Sequence, residues 1–151
     1  MLLGNLIKNV NTKYKKVIFK GISFDSRKIK SKDIFFAIQG KEQDGERFIK
    51  EAIQKGASAI ITDKKNQLKK YKIPFICVKD VRKSLTEACA NFYKKKPLNI
   101  IAVTGTNGKS SVANFFYQIL TLNNIPAASI GTLGINSKKY NKKTKLTSLD
   151  S

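Results

Sequence analysis

The stretch Asn99-Ile100-Ile101-Ala102-Val103-Thr104-Gly105-Thr106-Asn107-Gly108-Lys109-Ser110-Ser111 decides the reading of this chain. Residues 99–103 form the kind of apolar run expected of a strand buried on both faces of a parallel sheet. After the glycine-containing turn, Val112, Phe115, Phe116, Ile119 and Leu120 fall on one helical stripe. The pattern fades at Asn123-Asn124, Pro126 follows, and Ala127 to Ile130 read as a second short strand. Strand, loop, helix, strand is a βαβ unit.

Each position of the loop has a chemical use. Gly105 and Gly108 let the backbone turn with its N–H groups, those of Thr106 and Asn107 included, converging on an anion. The helix opening at Ser110-Ser111 directs its positive dipole end to the same place. Lys109 is placed to bridge the β- and γ-phosphates of a nucleotide, and the Ser110 hydroxyl to ligate Mg²⁺. The general phosphate-loop pattern wants a glycine where this chain has Val103, so the bare pattern fails. The flanking strand and amphipathic helix argue for a nucleotide-phosphate loop all the same. The alternative is a plain strand-to-helix turn carrying a surface lysine.

Upstream, the charged run Lys94-Lys95-Lys96 and Pro97 mark a domain boundary. It separates residues 1–97, a small α/β domain, from residues 98–151, which hold the βαβ unit. In the first part Val17 to Phe19 and Ile22 to Phe24 read as strand interrupted by Gly21, with Asp25-Ser26-Arg27 as a polar turn. Ile34 to Ile38 is a second run. Phe48, Ile49, Ala52 and Ile53 sit at helical spacing, Gly56 is a stop, and Ala59 to Thr62 read as a buried strand. Pro74 to Val78 repeats the strand signal. Asp80 can cap a helix whose face carries Leu85, Ala88, Cys89 and Phe92.

Composition narrows the classes further. The chain has 151 residues, 41% hydrophobic, with a formal charge of +20. That is too apolar for a disordered basic tail. Of the 30 basic residues 27 are Lys, and they are scattered, whereas base readout and bidentate phosphate clamps favour Arg. The 18 Ile and 12 Asn beside them fit a coding bias toward A/T-rich codons. No nucleic-acid partner is expected. No apolar run reaches the ~18–20 residues of a membrane span, and the opening Met1-Leu2-Leu3-Gly4 is too short for a signal-peptide core. A cytosolic monomer with no membrane partner is expected. Cys77 and Cys89 read as small buried thiols. With no histidine in the chain, Ser-His-Asp and Cys-His chemistry and the usual Cys/His zinc sites are excluded within it.

No carboxylate lies between Glu87 and Asp150. The second-strand Asp or Glu with which phosphate-loop enzymes hold their metal is therefore missing from this stretch. One helix and two strands also cannot cover both faces of a parallel sheet. The expectation is that the fold continues past residue 151.

Ala102 to Ser111 resembles the distinctive ATP loop of the Mur ligase family, which itself lacks the usual first glycine. The resemblance covers nearly the whole chain, and implies that residues 98–151 are the start of a parallel-sheet ATPase domain. Asp25-Ser26-Arg27, then Asp33-Ile34-Phe35-Phe36-Ala37, Gly40, Asp44-Gly45 and Phe48, resemble the family's N-terminal UDP-recognising domain. Ile130-Gly131-Thr132-Leu133-Gly134 and Leu146-Thr147-Ser148-Leu149-Asp150-Ser151 resemble the members that add the third amino acid to UDP-MurNAc-L-Ala-D-Glu. Ser148 replaces the second residue of their Thr-Thr pair and keeps the hydroxyl.

The resemblance implies that Phe24 and Ser26 contact the uridine, that Lys41-Glu42-Gln43 lie over the same nucleotide, and that Thr147-Ser148 hold the precursor. Plain readings stand beside these: Ser26 as a turn residue, Lys41 to Gln43 as solvated loop, Thr147 and Ser148 as tail. The implied substrates are the UDP-linked precursor, ATP and a diamino acid, meso-diaminopimelate being expected. ATP would phosphorylate the D-Glu side-chain carboxylate, and an amine would attack the acyl phosphate. The carboxylate, histidine and modified lysine that complete this machinery lie beyond residue 151 by the same resemblance. Rival readings are a ligase of the same family acting on a longer precursor and an ATP-binding switch module.

Overall fold

Four short runs of apolar residues pair side by side, all parallel, in the order β1 (Gly21–Ser23), β2 (Asp33–Phe36), β3 (Ala59–Thr62) and β4 (Phe75–Cys77). Ile22 stands opposite Ile34, Phe35 opposite Ile60, and Ile61 opposite Ile76. The protein is seen here as a computed structural model that describes residues 1–7, 10–40, 44–64 and 71–143. It divides into two compact units, Met1–Lys96 and Pro97–Ser151.

Strand side chains alternate between faces, and both faces of this sheet are covered, which is why Ile34 to Phe36, Ala59 to Ile61 and Phe75 to Ile76 are apolar without a break. One face carries Ile34, Phe36, Ala59, Ile61 and Ile76, packed with Leu3, Leu6, Phe19 and with Val81, Leu85 and Ala88 of α2 (Val81–Phe92). The other carries Phe35, Ile60 and Phe75, packed with Ile49 and Ala52 of α1 (Ile49–Gln54). Each fully buried Phe, Leu or Ile contributes about 1.5–3 kcal/mol. Asp80 caps α2 by accepting from the Lys83 N–H at 3.0 Å. Asn91 near its other end donates to the Leu6 carbonyl at 3.0 Å.

Two local expectations need correction in this unit. Gly21 opens β1 instead of interrupting a longer strand. A Cβ there would come within 2.5 Å of Asp33 Oδ1, so a larger residue would have to displace the Asp33 carboxylate. Phe19 is core, but Ile18 is 62% exposed and makes only an isolated bridge to Leu2.

The second unit departs further. The helix forms as α3 (Lys109–Leu122), but residues 99–103 make no strand, and Ile100 and Ile101 are 80% and 64% exposed. A strand exists only where a neighbour supplies ladder partners. The expected companion, β5 (Ala128–Gly131), pairs antiparallel with β6 (Gly134–Ser137), which pairs in turn with β7 (Asn141–Lys142). The expected βαβ unit is thus replaced by α3 followed by a three-stranded meander. On the apolar stripe of α3, Val112, Phe115 and Ile119 are each more than half exposed.

Candidate functional site

The loop ahead of α3 is built by two glycines in conformations other residues avoid. Gly105 has φ +146° and Gly108 has φ +75°. A Cβ at Gly108 would meet no atom within 4 Å, so glycine is needed there for its backbone and not for space. Gly108 is also the N-cap of α3, and its carbonyl accepts the first helical bond, from Val112 N–H at 2.9 Å. The N–H groups of Lys109, Ser110 and Ser111 therefore have no carbonyl behind them in the helix. These donors and the dipole suit an anion.

Lys109 folds back on this loop. Its Nζ donates to the carbonyl of Gly105 and, at 3.0 Å, to that of Thr106, holding an ammonium against the loop backbone. Ser110 Oγ lies 3.3 Å from Thr132 Oγ1 in a hydrogen bond, which ties the helix start to the turn between β5 and β6. Thr106, Asn107 and Ser111 are exposed. For Mg²⁺, a hard cation that takes oxygen ligands along with substrate phosphates and water, Ser110 offers one hydroxyl oxygen of the right chemistry. Among the described residues no group of three His, Cys, Asp or Glu could hold a metal ion.

In the first unit, the turn after β1 collects a charged network. Asp25 accepts from the Arg27 backbone N–H at 3.0 Å and from Nε and Nη2 at 2.9 Å each. The Arg27 guanidinium holds the Asp25 carboxyl below the usual carboxylate range. Ser26 is 4% exposed and donates its hydroxyl proton to Glu51 Oε2 at 2.6 Å. Lys55 Nζ bonds the Ser26 carbonyl at 3.2 Å and Glu51 Oε1 at 2.7 Å. First Lys55 and then Ser26 lower the Glu51 pKa. Phe24 packs partly buried against the core. Phe24 and Ser26 thus share one turn, while Lys41, Glu42, Gln43, Thr147 and Ser148 lie outside the described residues.

Other groups gather where sequence reasoning had not looked. A cavity of about 210 Å³ opens beyond the carboxyl ends of β2, β3 and β4, with Gln39, Asp63, Lys79 and Arg82 on its walls. Open α/β sheets place ligands along this edge. Nearby, Lys64 pairs with Asp44 at 2.7 Å, the Thr62 hydroxyl bonds Glu46 Oε1, and Glu46 Oε2 is buried with no hydrogen-bond partner among the described residues. The signal available in sequence was position: Gln39, Asp63 and Lys79 each stand just past a strand.

A family model described as "Mur ligase family, catalytic domain" matches residues 18–93. The UDP-N-acetylmuramoyl-L-alanyl-D-glutamate--2,6-diaminopimelate ligase of Rickettsia montanensis is 49% identical over 135 residues, covering 87% of this chain and 28% of the relative. The like-named ligase of Bradyrhizobium diazoefficiens is 43% identical over 130 residues, covering 86% and 26%. A solved structure of a UDP-N-acetylmuramoyl-L-alanyl-D-glutamate--2,6-diaminopimelate ligase is similar with TM-score 0.77 at 26% identity, covering 99% of this chain and 31% of that one. The MurF ligase from Thermotoga maritima in complex with ADP is similar with TM-score 0.56 at 26% identity, covering 72% and 25%. The chain spans 28% of the length of the first of these relatives. No helix among the described residues is long and apolar enough to cross a membrane.

Proposed function

The chain belongs to the Mur ligase family, and from that premise we propose that it handles the two nucleotides of a ligase adding diaminopimelate to UDP-MurNAc-L-Ala-D-Glu. Residues 1–97 would hold the UDP-linked precursor, with Phe24, Ser26 and Lys41-Glu42-Gln43 toward the uridine nucleotide. Residues 98–151 would open the ATP-binding domain, with Thr147 and Ser148 toward the precursor. The names of the similar ligases support the third amino acid, and the ADP complex of a structural neighbour supports the nucleotide.

The reaction transfers the γ-phosphoryl group of ATP to the D-Glu side-chain carboxylate, releasing ADP. The amine then attacks the acyl phosphate, an amide forms and phosphate leaves. In the first step the protein's work is positioning and charge neutralisation. Amides of residues 105–108 and of the first turn of α3 would bind the phosphates, and Lys109 would offset the charge gathering on the β- and γ-groups. Ser110 would hold Mg²⁺, which supplies further charge neutralisation when bound.

The observation that carries this reading is the Lys109 ammonium bonded to the carbonyls of Gly105 and Thr106 at the open N-terminus of α3. In the active enzyme, Lys109→Ala is expected to abolish turnover while UDP-precursor affinity stays within about twofold of the parent. Near-normal turnover would remove Lys109 from the mechanism. Titrating the chain itself with UDP-MurNAc-dipeptide and separately with ATP separates the rivals, since binding of ATP alone would favour a switch module.

A further inference from the structure

Glu51 and Lys55 lie on and just after α1, and both reach across to the turn after β1. A serine hydroxyl has one proton and two lone pairs. In Ser26 the proton goes to Glu51 Oε2 at 2.6 Å, and the carbonyl oxygen accepts from Lys55 Nζ at 3.2 Å. What the hydroxyl has left for a ligand is acceptor capacity alone. A uridine nucleotide has donors that suit it, the imide N–H of the base and the ribose hydroxyls. Its phosphates are acceptors, and they would also face the Glu51 carboxylate. Lys55, 2.7 Å from Glu51 Oε1, offsets that charge.

Resting on the assignment of Ser26 to the uridine end of the nucleotide, we propose that Glu51 is a positioning residue that draws off the Ser26 proton and fixes its hydroxyl as an acceptor for the base or ribose of a uridine nucleotide. The bond spans 25 positions of sequence and links a helix to a loop. Ordinary helix surface chemistry would satisfy Glu51 with Lys55 alone, and the bond to Ser26 is additional to that pair.

The test is a double-mutant cycle on the chain, read by calorimetric titration with UDP. Ser26→Ala and Glu51→Ala are each expected to weaken UDP about five- to tenfold, the cost of one lost hydrogen bond to a charged or well-placed group. The double variant is expected to bind no worse than Ser26→Ala. Glu51→Gln keeps a carbonyl acceptor for the serine proton, so it should stay within about threefold of the parent, and it serves as the folded control if Glu51→Ala melts early. If Glu51→Ala binds like the parent, weakens UDP by the same factor with and without Ser26, or is matched by Glu51→Gln, the positioning role is overturned. Failure of the parent to bind UDP would instead overturn the assignment of Ser26, and this inference with it.

Discussion

Substituting Gly108 separates backbone conformation from space in the loop proposed to hold the ATP phosphates. Gly108 has φ +75° and ψ −6°, in the left-handed region. A Cβ there meets nothing within 4 Å. The whole cost of Gly108→Ala is therefore conformational, about 1–2 kcal/mol for an L residue held in that region. Part of the loop population would leave the conformation in which the proposed phosphate contacts form, so ATP affinity should fall by about five- to thirtyfold. Asparagine visits the left-handed region far more readily than alanine. Gly108→Asn should consequently bind ATP more tightly than Gly108→Ala despite its larger side chain. Calorimetric titration with ATP and Mg²⁺, with UDP as an internal reference, reads both. An affinity order of Asn below Ala, or an Ala variant equal to the parent, would refute the reasoning, because the first implies crowding and the second implies that the loop conformation is irrelevant.

Three further outcomes are expected. Asp80→Ala removes the bond to the Lys83 N–H at the start of α2 and should lower stability by about 1 kcal/mol in urea unfolding, with Asp80→Asn recovering most of the loss. Asp25, Asp44 and Glu51 have pKa values lowered from 3.8, 3.8 and 4.5, chiefly by Arg27, Lys64 and Lys55 respectively. A depressed carboxylate stabilises the fold above its unfolded value and loses that contribution as pH falls through the folded one. The melting temperature should accordingly drop below about pH 4.5, less steeply in high salt; a rise on acidification would contradict this. Phe115 and Ile119 are 60% and 56% exposed. Replacing both with Lys should cut binding of a hydrophobic dye while changing stability by no more than about 0.5 kcal/mol per site, as a melt would reveal.

The two units were legible to different degrees. Ala59 to Thr62 forms a strand with the bounds the sequence run implies, because its side chains alternate between two covered faces and all four residues are buried, Thr62 with its hydroxyl bonded to Glu46. The Asp80 cap and the α3 bounds also followed from local pattern, since helix hydrogen bonds join residues four apart. Residues 99–103 carried an equally good strand signal and make no strand, because apolar character does not supply a ladder partner. Ser26 was singled out by its turn and by family likeness, but Glu51 was not, being a surface-type residue 25 positions away.

What the amino-acid order by itself determined is therefore local: two glycines at positive φ ahead of α3, a lysine and a serine at the start of that helix, and the caps and stripes of α2 and α3. Which strands pair, in which direction, and that Glu51 meets Ser26 were decided only by tertiary structure. Those contacts join residues remote in sequence, and their hydrogen bonds form only when packing has already brought the partners together.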